Sequence, residues 1–274
     1  MPATKLSTIR INKPWGRHRL WPGFEDAPAN GEPVGEIWYK MPESVPEPEL
    51  LVKYLFTSER LSIQVHPGDD DARAVGYARG KDEAWLILAV EPGATIALGT
   101  RYPISSPELR AAALDGSIEA LMDWRSVKAG DVIYSAAGTI HAIGAGLTLI
   151  EVQQNVDLTY RLYDYGRPRE LHLDAGVAVS HPVPFVDPPA PIQDTPDRKV
   201  VVEGGKFVIE RLVGVDPCTL PCAGWLIPIT GGGHLDRQWF TAGECWYVEE
   251  PVSLTLEAGS NVLFAYTGAV RAGS

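Results

Sequence analysis

Four side chains with donor atoms suited to a divalent cation stand at Gln64, His66, Glu83 and His141. Gln64 and His66 lie two residues apart in Leu61-Ser62-Ile63-Gln64-Val65-His66-Pro67. On a strand, residues i and i+2 share a face. Leu61, Ile63 and Val65 are then expected on the opposite face, in the core. Glu83 follows in Lys81-Asp82-Glu83, with Trp85 and Ile87 continuing its face. A carboxylate in so apolar a strand costs several kcal/mol unless it is paired or metal-bound. His141 closes Gly138-Thr139-Ile140-His141, a turn leading into a strand. An amide, two imidazoles and a carboxylate on one inner wall form a nitrogen/oxygen site. Such a site suits zinc or a similar divalent ion and leaves room for substrate. Two histidines and a carboxylate also fit iron.

The strands that must carry these residues are legible. Short runs rich in Val, Ile, Leu and Thr alternate with turn residues, supported by 27 Gly and 23 Pro. This predicts an all-β protein. Expected strands include 51–57, 61–65, 83–90, 95–98, 131–135, 148–153, 200–202, 207–213 and 253–257. Ser106-Pro107-Glu108 reads as an N-cap followed by proline at the first helical position. A short helical insertion is therefore expected near 106–123, divided at Gly116. The proline-rich segment 181–199 reads as a linker. We thus expect a domain over 1–180 and a second, smaller β unit over 200–274. The second unit offers only His234 and no ligand pair. The turns Lys128-Ala129-Gly130-Asp131 and Thr241-Ala242-Gly243-Glu244 each precede a strand and hint at a duplicated architecture.

Composition bounds the partners. The net charge of −11 with no basic run argues against nucleic acid. No stretch approaches the ~18 apolar residues of a membrane span. Met1 to Arg10 lacks the apolar segment of a signal peptide. Cys218, Cys222 and Cys245 read as reduced structural thiols, consistent with a cytoplasmic protein. His18, His172, His181 and His234 fit no ligand spacing and read as structural or exposed.

Several motifs taken in order add a resemblance: Lys13-Pro14-Trp15-Gly16, Gly35-Glu36-Ile37-Trp38, Gln64-Val65-His66-Pro67, Lys81-Asp82-Glu83, Gly138-Thr139-Ile140-His141-Ala142, and Glu151-Val152-Gln153-Gln154-Asn155 followed by Tyr160-Arg161. The chain resembles the type I phosphomannose isomerases, zinc enzymes of the cupin superfamily, over roughly residues 10–180. The resemblance implies a cupin (jelly-roll) β-barrel, followed by a second cupin-like unit without a metal site. It implies one zinc per chain on Gln64, His66, Glu83 and His141, with a small phosphosugar as substrate. The implied reaction interconverts mannose 6-phosphate and fructose 6-phosphate through a cis-enediol. Arg161 would be catalytic, stabilising negative charge on the reacting oxygens. Ser62 and Lys81, each two residues before a ligand, would belong to the phosphate end of the pocket, and Arg167 would contact substrate. Glu151 is the candidate proton-shuttling base, with a metal-bound water as its rival. Trp15 and Trp38 are read as packing the N-terminal strands. Other enzymes on the same scaffold, or a non-catalytic sugar-sensing cupin, are the competing readings. Two departures from the family stand out. Only 57 residues separate Glu83 from His141, room for two short helices where larger members carry a helical domain. Ser135-Ala136-Ala137-Gly138 lacks the proline often found before the glycine.

Overall fold

The computed structural model describes residues 3–42, 47–187, 194–195, 198–214 and 217–268. Among them the strands form four antiparallel sheets, of six, five, seven and four strands. These stack as layers, with helices over the outer face of the five-stranded sheet.

The six-stranded sheet runs Ser7–Arg17, Val34–Lys40, Leu50–Phe56, Leu147–Gln154, Glu83–Val90, Val132–Ser135. Its two faces are unlike. Leu50, Val52, Tyr54 and Phe56 point into a large apolar core shared with Phe207, Ile209, Trp225, Ile227 and Leu263 of the seven-stranded sheet. The alternate positions, Lys53 and Leu55, point the other way, towards a cavity that also takes in Glu36, Trp38, Glu83 and Glu151. That period of two is what a strand covered on both faces requires.

The five-stranded sheet runs Tyr160–Tyr163, Ile63–Val65, His141–Ile143, Thr95–Thr100, Met122–Ser126. It closes over the six-stranded sheet through Trp15, Leu55, Trp85, Ile87, Ile96, Leu98, Ile143 and Leu149. Ile63 and Val65 face outward, onto Leu109, Ala112 and Ala113 of the helical insertion. Leu61 departs from its expected place. The strand begins only at Ile63, so Leu61 precedes the regular alternation and lines the cavity.

The insertion forms helices Ser106–Asp115 and Ile118–Leu121, separated by Gly116. The N-cap is Ser105, one residue before the expected Ser106. Its side chain and that of Glu108 cap each other's backbone N–H groups, and this reciprocal box needs a glutamate three residues on. Strands Ser7–Arg17 and Val34–Lys40 were expected only as N-terminal strands without bounds, and helices Asp69–Ala74 and Leu173–Val179 had no clear pattern in the sequence. The N-terminal pair is drawn together by glycine: a Cβ on Gly16 would lie 2.4 Å from the Val34 carbonyl carbon. Only glycine permits that approach, and it brings Lys13 to within 3.9 Å of Glu36.

The remaining strands make the seven- and four-stranded sheets, whose facing sides pack Phe240, Phe264, Tyr266 and Leu254 into their own core. Ala3–Lys5 pairs with Trp246–Val248, so the chain's first described strand joins a sheet built from its last third. Of the linker, His181 and Pro184 bridge to Thr139 and Gly99. Asp194–Thr195 is a short strand, and Pro188, Pro189, Pro191 and Pro196 lie outside the described residues. No described helix is long and apolar enough to cross a membrane.

The large core joins two sheets from distant parts of the chain, and Phe207 is 1% exposed within it. Phe207→Ala should cost about 3–5 kcal/mol. A shift in urea midpoint with unchanged m-value checks this; a loss under 1 kcal/mol would mean that the sheets do not depend on this contact.

Candidate active site

The four expected ligands arrive from both sheets. Gln64 sits on the central part of the five-stranded sheet and pairs in register with both His141 and Arg161. His66 follows the end of its strand. Glu83 opens Glu83–Val90 in the facing sheet, where it registers with Gln153 and Ser135. One donor atom from each of His66, Glu83 and His141 falls within a 4.8 Å cluster, and all three residues are buried.

The hydrogen bonds around this cluster fix its chemistry. Nδ1 of His66 lies 3.1 Å from the Leu158 carbonyl oxygen, and Nδ1 of His141 lies 3.0 Å from that of Thr139. A carbonyl can only accept, so each Nδ1 carries the proton and each Nε2 is left with its lone pair. Those lone pairs point at a carboxylate. His66 Nε2 is 3.1 Å from Glu83 Oε1, and His141 Nε2 is 3.6 Å from Glu83 Oε2. His66 Nε2 and Glu83 Oε2 make no hydrogen bond although both are buried. Acceptor facing acceptor in a dry site is repulsive, and a cation at their focus removes the conflict. A histidine with its other nitrogen fixed by a backbone carbonyl is also the usual second support of a metal ligand. The donor set therefore fits a metal ion. Gln64 joins from the side. Its Oε1 accepts from Ser62 Oγ at 3.1 Å, and its Nε2 is 3.3 Å from His141 Nε2. Its oxygen and nitrogen ends are nearly alike in shape. Turning the amide over would present its carbonyl oxygen to the cluster, while Ser62 Oγ could accept in its place.

Protonation agrees with this. Burial, and next the Lys81 ammonium, push the His66 imidazole down to about 3. Burial also lowers His141. For Glu83 burial acts upward, but the Lys81 ammonium in contact with it opposes burial and the carboxyl is held well below its ordinary value. All three are in the ligating protonation state at neutral pH.

A cavity of about 340 Å³ opens beside the cluster. Its inner wall carries a second polar group, centred on a cross-strand row in which Trp38 registers with Lys53, Lys53 with Glu151, and Glu151 with Trp85. Lys53 Nζ contacts Glu151 Oε1 at 3.1 Å and Gln153 Oε1 at 2.5 Å. Glu36 Oε2 lies 3.8 Å away, and the Trp38 ring lies under the ammonium. Trp85 Nε1 donates to Glu151 Oε2 at 3.2 Å. Burial first, then the Glu83 charge, raise the Glu151 carboxyl above its ordinary value, with Lys53 opposing. Burial would lower Lys53, but Glu151 and Glu36 more than offset it and its ammonium is raised. The pair thus couples a carboxylate that protonates more easily to a cation that stays charged.

Sequence-predicted residues divide by place. Gln64, Glu83, Glu151, Arg161, Ser62 and Lys81 all line the cavity. Ser62 and Lys81 stand at its metal end: Ser62 bonds Gln64, and Lys81 Nζ is 3.2 Å from Glu83 Oε1. Arg161 Nη1 donates to the Glu170 carbonyl at 2.8 Å, and its buried Nε has no partner. Its backbone is braced by His172, whose Nδ1 accepts from Arg161 N while His172 N donates to Arg161 O. Arg167 is not on the cavity wall. Asp164 and the Arg60 carbonyl take its Nε and Nη2, and its guanidinium lies over the Tyr165 ring. Trp15 and Trp38, expected to pack, also line the cavity. Lys53, Glu36, Asp157, Thr159 and Arg169 were not singled out from the sequence. A lone lysine inside Leu50–Phe56 was the signal for Lys53, of the same kind that betrayed Glu83. The exposed His234 lies against Trp239, away from the cavity.

No family model matches the chain. Among curated proteins it is 40% identical to the mannose-6-phosphate isomerase of Streptococcus mutans over 138 residues, 47% of this chain and 43% of that one. It is likewise 40% identical over 137 residues to a mannose-6-phosphate isomerase of Bacillus subtilis, with 47% and 43% covered. The chain spans about half the length of the curated relatives it matches. Among solved structures, the mannose 6-phosphate isomerase of Bacillus subtilis superimposes with a TM-score of 0.83 at 24% identity, over 97% of this chain and 100% of that one. A phosphomannose isomerase variant from Salmonella typhimurium gives 0.75 at 14% identity, over 98% and 100%. These likenesses establish the fold. The layered β architecture with a buried His–Glu–His group able to hold a metal ion is that of a cupin. By sequence, over about half of its length, the chain is similar to mannose-6-phosphate isomerases.

Two buried histidines held neutral have a cost at low pH. Both have folded-state pKa values below the ~6.5 of an unfolded histidine. Between those values the unfolded chain binds more protons, so metal-free stability is fully present above about pH 6.5 and falls as pH falls below it. The expected slope reaches about 1.4 kcal/mol per pH unit for each histidine. Urea unfolding of chelated protein at pH 7 and 5.5 checks this. His66→Gln should flatten the slope, and an unchanged slope would mean that His66 is already protonated when folded.

Proposed function

We propose that the chain is a metal-dependent aldose–ketose isomerase interconverting mannose 6-phosphate and fructose 6-phosphate. The observation that carries this is the meeting, in one cavity, of an acceptor-only cluster suited to a cation, a buried carboxylate of raised pKa, and an arginine with an unpartnered buried donor. Zinc is the metal we assign, held by His66, Glu83, His141 and Gln64; when bound it supplies Lewis acidity towards the sugar oxygens. The other steps belong to the protein. Glu151 takes the proton from C2 of the open-chain aldose and returns it to C1, while the hydroxyl proton passes from O2 to O1, the reaction running through a cis-enediol. Lys53 keeps Glu151 oriented and ionised enough to act as base. The Arg161 guanidinium faces the negative charge that develops on the sugar oxygens, charge that the ground state lacks. Lys81 and Ser62 hold Glu83 and Gln64 in place and line the sugar's reacting end.

The division into 1–180, a 181–199 linker and 200–274 is part of the proposal. It is supported by the separate core between the seven- and four-stranded sheets, with Ala3–Lys5 as the crossing strand. A cytoplasmic setting is likewise proposed, supported by Cys218, Cys222 and Cys245 all being free thiols.

Formation of fructose 6-phosphate from mannose 6-phosphate, followed by a coupled assay with and without added zinc, tests the proposal. Arg161→Ala should retain bound zinc and a KM within a few-fold, while kcat falls by about two to three orders of magnitude. Normal turnover by Arg161→Ala would remove it from the mechanism. Lys53→Met removes a cation from Glu151 and so disfavours the ionised carboxylate. The acid limb of the pH–rate profile should then move upward by about one unit or more. An acid limb that stays in place would exclude Glu151 as the base.

A further inference from the structure

The three clustered ligands all stand at strand ends. His66 follows the last residue of Ile63–Val65, Glu83 is the first of Glu83–Val90, and His141 is the first of His141–Ile143. Strand register constrains a residue least at an end, so something else must hold these three. A brace arrives from the seven-stranded sheet, which supplies none of the four ligands. Its strands Arg198–Glu203 and Phe207–Val213 pair as a hairpin, and the turn between them is Gly204-Gly205-Lys206. The turn is seated on Tyr134 of Val132–Ser135. A Cβ on Gly204 would lie 2.2 Å from Tyr134 Cε2, so the backbone rests directly on the ring. Phe207 meets the same ring edge-on, with centroids 5.6 Å apart. The backbone N–H groups of Gly205 and Lys206 face the Tyr134 hydroxyl oxygen. Lys206 reaches further, and its Nζ donates to Asp69 Oδ2 at 2.7 Å.

Both contacts lead to one residue. Asp82 is buried and is not on the cavity wall, yet it is the neighbour of Glu83 in the chain. Its Oδ2 accepts from the Tyr134 hydroxyl, and its Oδ1 accepts from Ala137 N at 2.9 Å. Asp69 Oδ1 accepts from Gln154 Nε2 at 3.1 Å. Gln154 Oε1 in turn accepts from Asp82 N at 3.0 Å, and Gln154 N donates to Asp82 O at 3.1 Å. Tyr134 therefore pins the Asp82 carboxylate, and Gln154 pins its backbone. From Asp82 the constraint spreads to the ligands. Ala137 lies in the loop that leads to His141, and the next residue, Gly138, donates its N–H to the His66 carbonyl at 2.8 Å. Loss of the Tyr134 hydroxyl would leave a buried carboxylate oxygen short of a donor, and the segments around it would shift to supply one. Metal affinity is sensitive to such shifts, because ligands must be held by the groups behind them.

We propose that the Gly204-Gly205-Lys206 turn is a positioning element for the metal centre: through Tyr134 and Asp82 it sets the places of Glu83, His66 and His141, so that a sheet without a ligand governs how tightly the metal is held. This rests on the reading of the His66–Glu83–His141 cluster as a cation site. Zinc affinity of the chelated full chain, measured by competition with a chromophoric chelator, tests it, with the visible spectrum of the cobalt-loaded chain as a readout of ligand geometry. Tyr134→Phe keeps the ring and removes only the hydroxyl. It should weaken zinc binding roughly ten- to a hundredfold, the range for partners that stand behind metal ligands, and shift the cobalt bands. Gly204→Ala, made in the turn alone, should act in the same direction. Lys206→Met should weaken zinc by about two- to fivefold, the worth of a partly exposed ion pair, and Lys206→Arg should restore it. Phe240→Leu, in the core between the seven- and four-stranded sheets, should lower the melting temperature and leave zinc affinity within about twofold of the parent. Parent-like affinity and cobalt bands in Tyr134→Phe or Gly204→Ala would overturn the proposal. So would a loss in Phe240→Leu as large as that in Tyr134→Phe, which would make the effect one of stability alone. A parent that binds zinc and converts no sugar phosphate would overturn the isomerase reading and leave this one standing. A parent that binds no divalent metal would overturn the cation site and this proposal with it.

Discussion

Two imidazole lone pairs and a carboxylate cannot be buried against one another at about 3 Å unless positive charge joins them. Here the backbone forbids the simplest escape. The Leu158 and Thr139 carbonyls hold the protons of both rings on Nδ1, so neither Nε2 can donate to Glu83. Lys81 neutralises one edge of the carboxylate, and the other edge keeps an oxygen without a hydrogen bond. An uncompensated buried polar atom costs about 1–3 kcal/mol, more when it is charged. The cluster is therefore suited to receive a cation, and the strands around it hold it in this shape.

The layers explain how. Gln64, His141 and Arg161 sit side by side on three adjacent strands of one sheet, which fixes their spacing through backbone pairing alone. Glu83 and Glu151 come from neighbouring strands of the facing sheet, and apolar contacts between the sheets set the gap across which they meet. The outer faces of both sheets are covered in turn, one by helices and one by the seven-stranded sheet. Neither sheet is free to bend without disturbing a packed core on its far side. Charge is arranged on the same lattice. Lys53 and Glu151 are cross-strand partners, so the carboxylate in the cavity is tuned by a residue whose position is set by strand register. A one-residue slip of either strand would turn its own member of the pair out of the cavity.

Much of this was legible in the residues. Gln64 and His66 were expected on one wall from their period-two spacing, and the choice of all four candidate ligands leaned also on the family resemblance. The central strands were found nearly to the residue, since they are buried on both faces and read as apolar runs. What escaped had weaker local signals. Ser7–Arg17 is largely exposed and carries a proline and a glycine, so its strand character comes from pairing with Val34–Lys40. The helix cap moved by one residue because adjacent serines compete, and only the spacing to Glu108 decides between them. Arg167, expected to contact substrate, lies off the cavity wall for a three-dimensional reason. Arg167 and Arg169 share a buried aspartate, and which one faces the cavity depends on a loop where Tyr165 and Gly166 both take positive φ.

The most direct test of the metal centre is calorimetric titration of zinc into the chelated chain at pH 7, repeated in buffers of different ionisation enthalpy. His66 and His141 are already neutral there and Glu83 is already ionised. One zinc should bind per chain with almost no proton released, because no ligand has a proton to give up. Failure to bind zinc, or release of a full proton or more on binding, would contradict the buried, pre-deprotonated site described above.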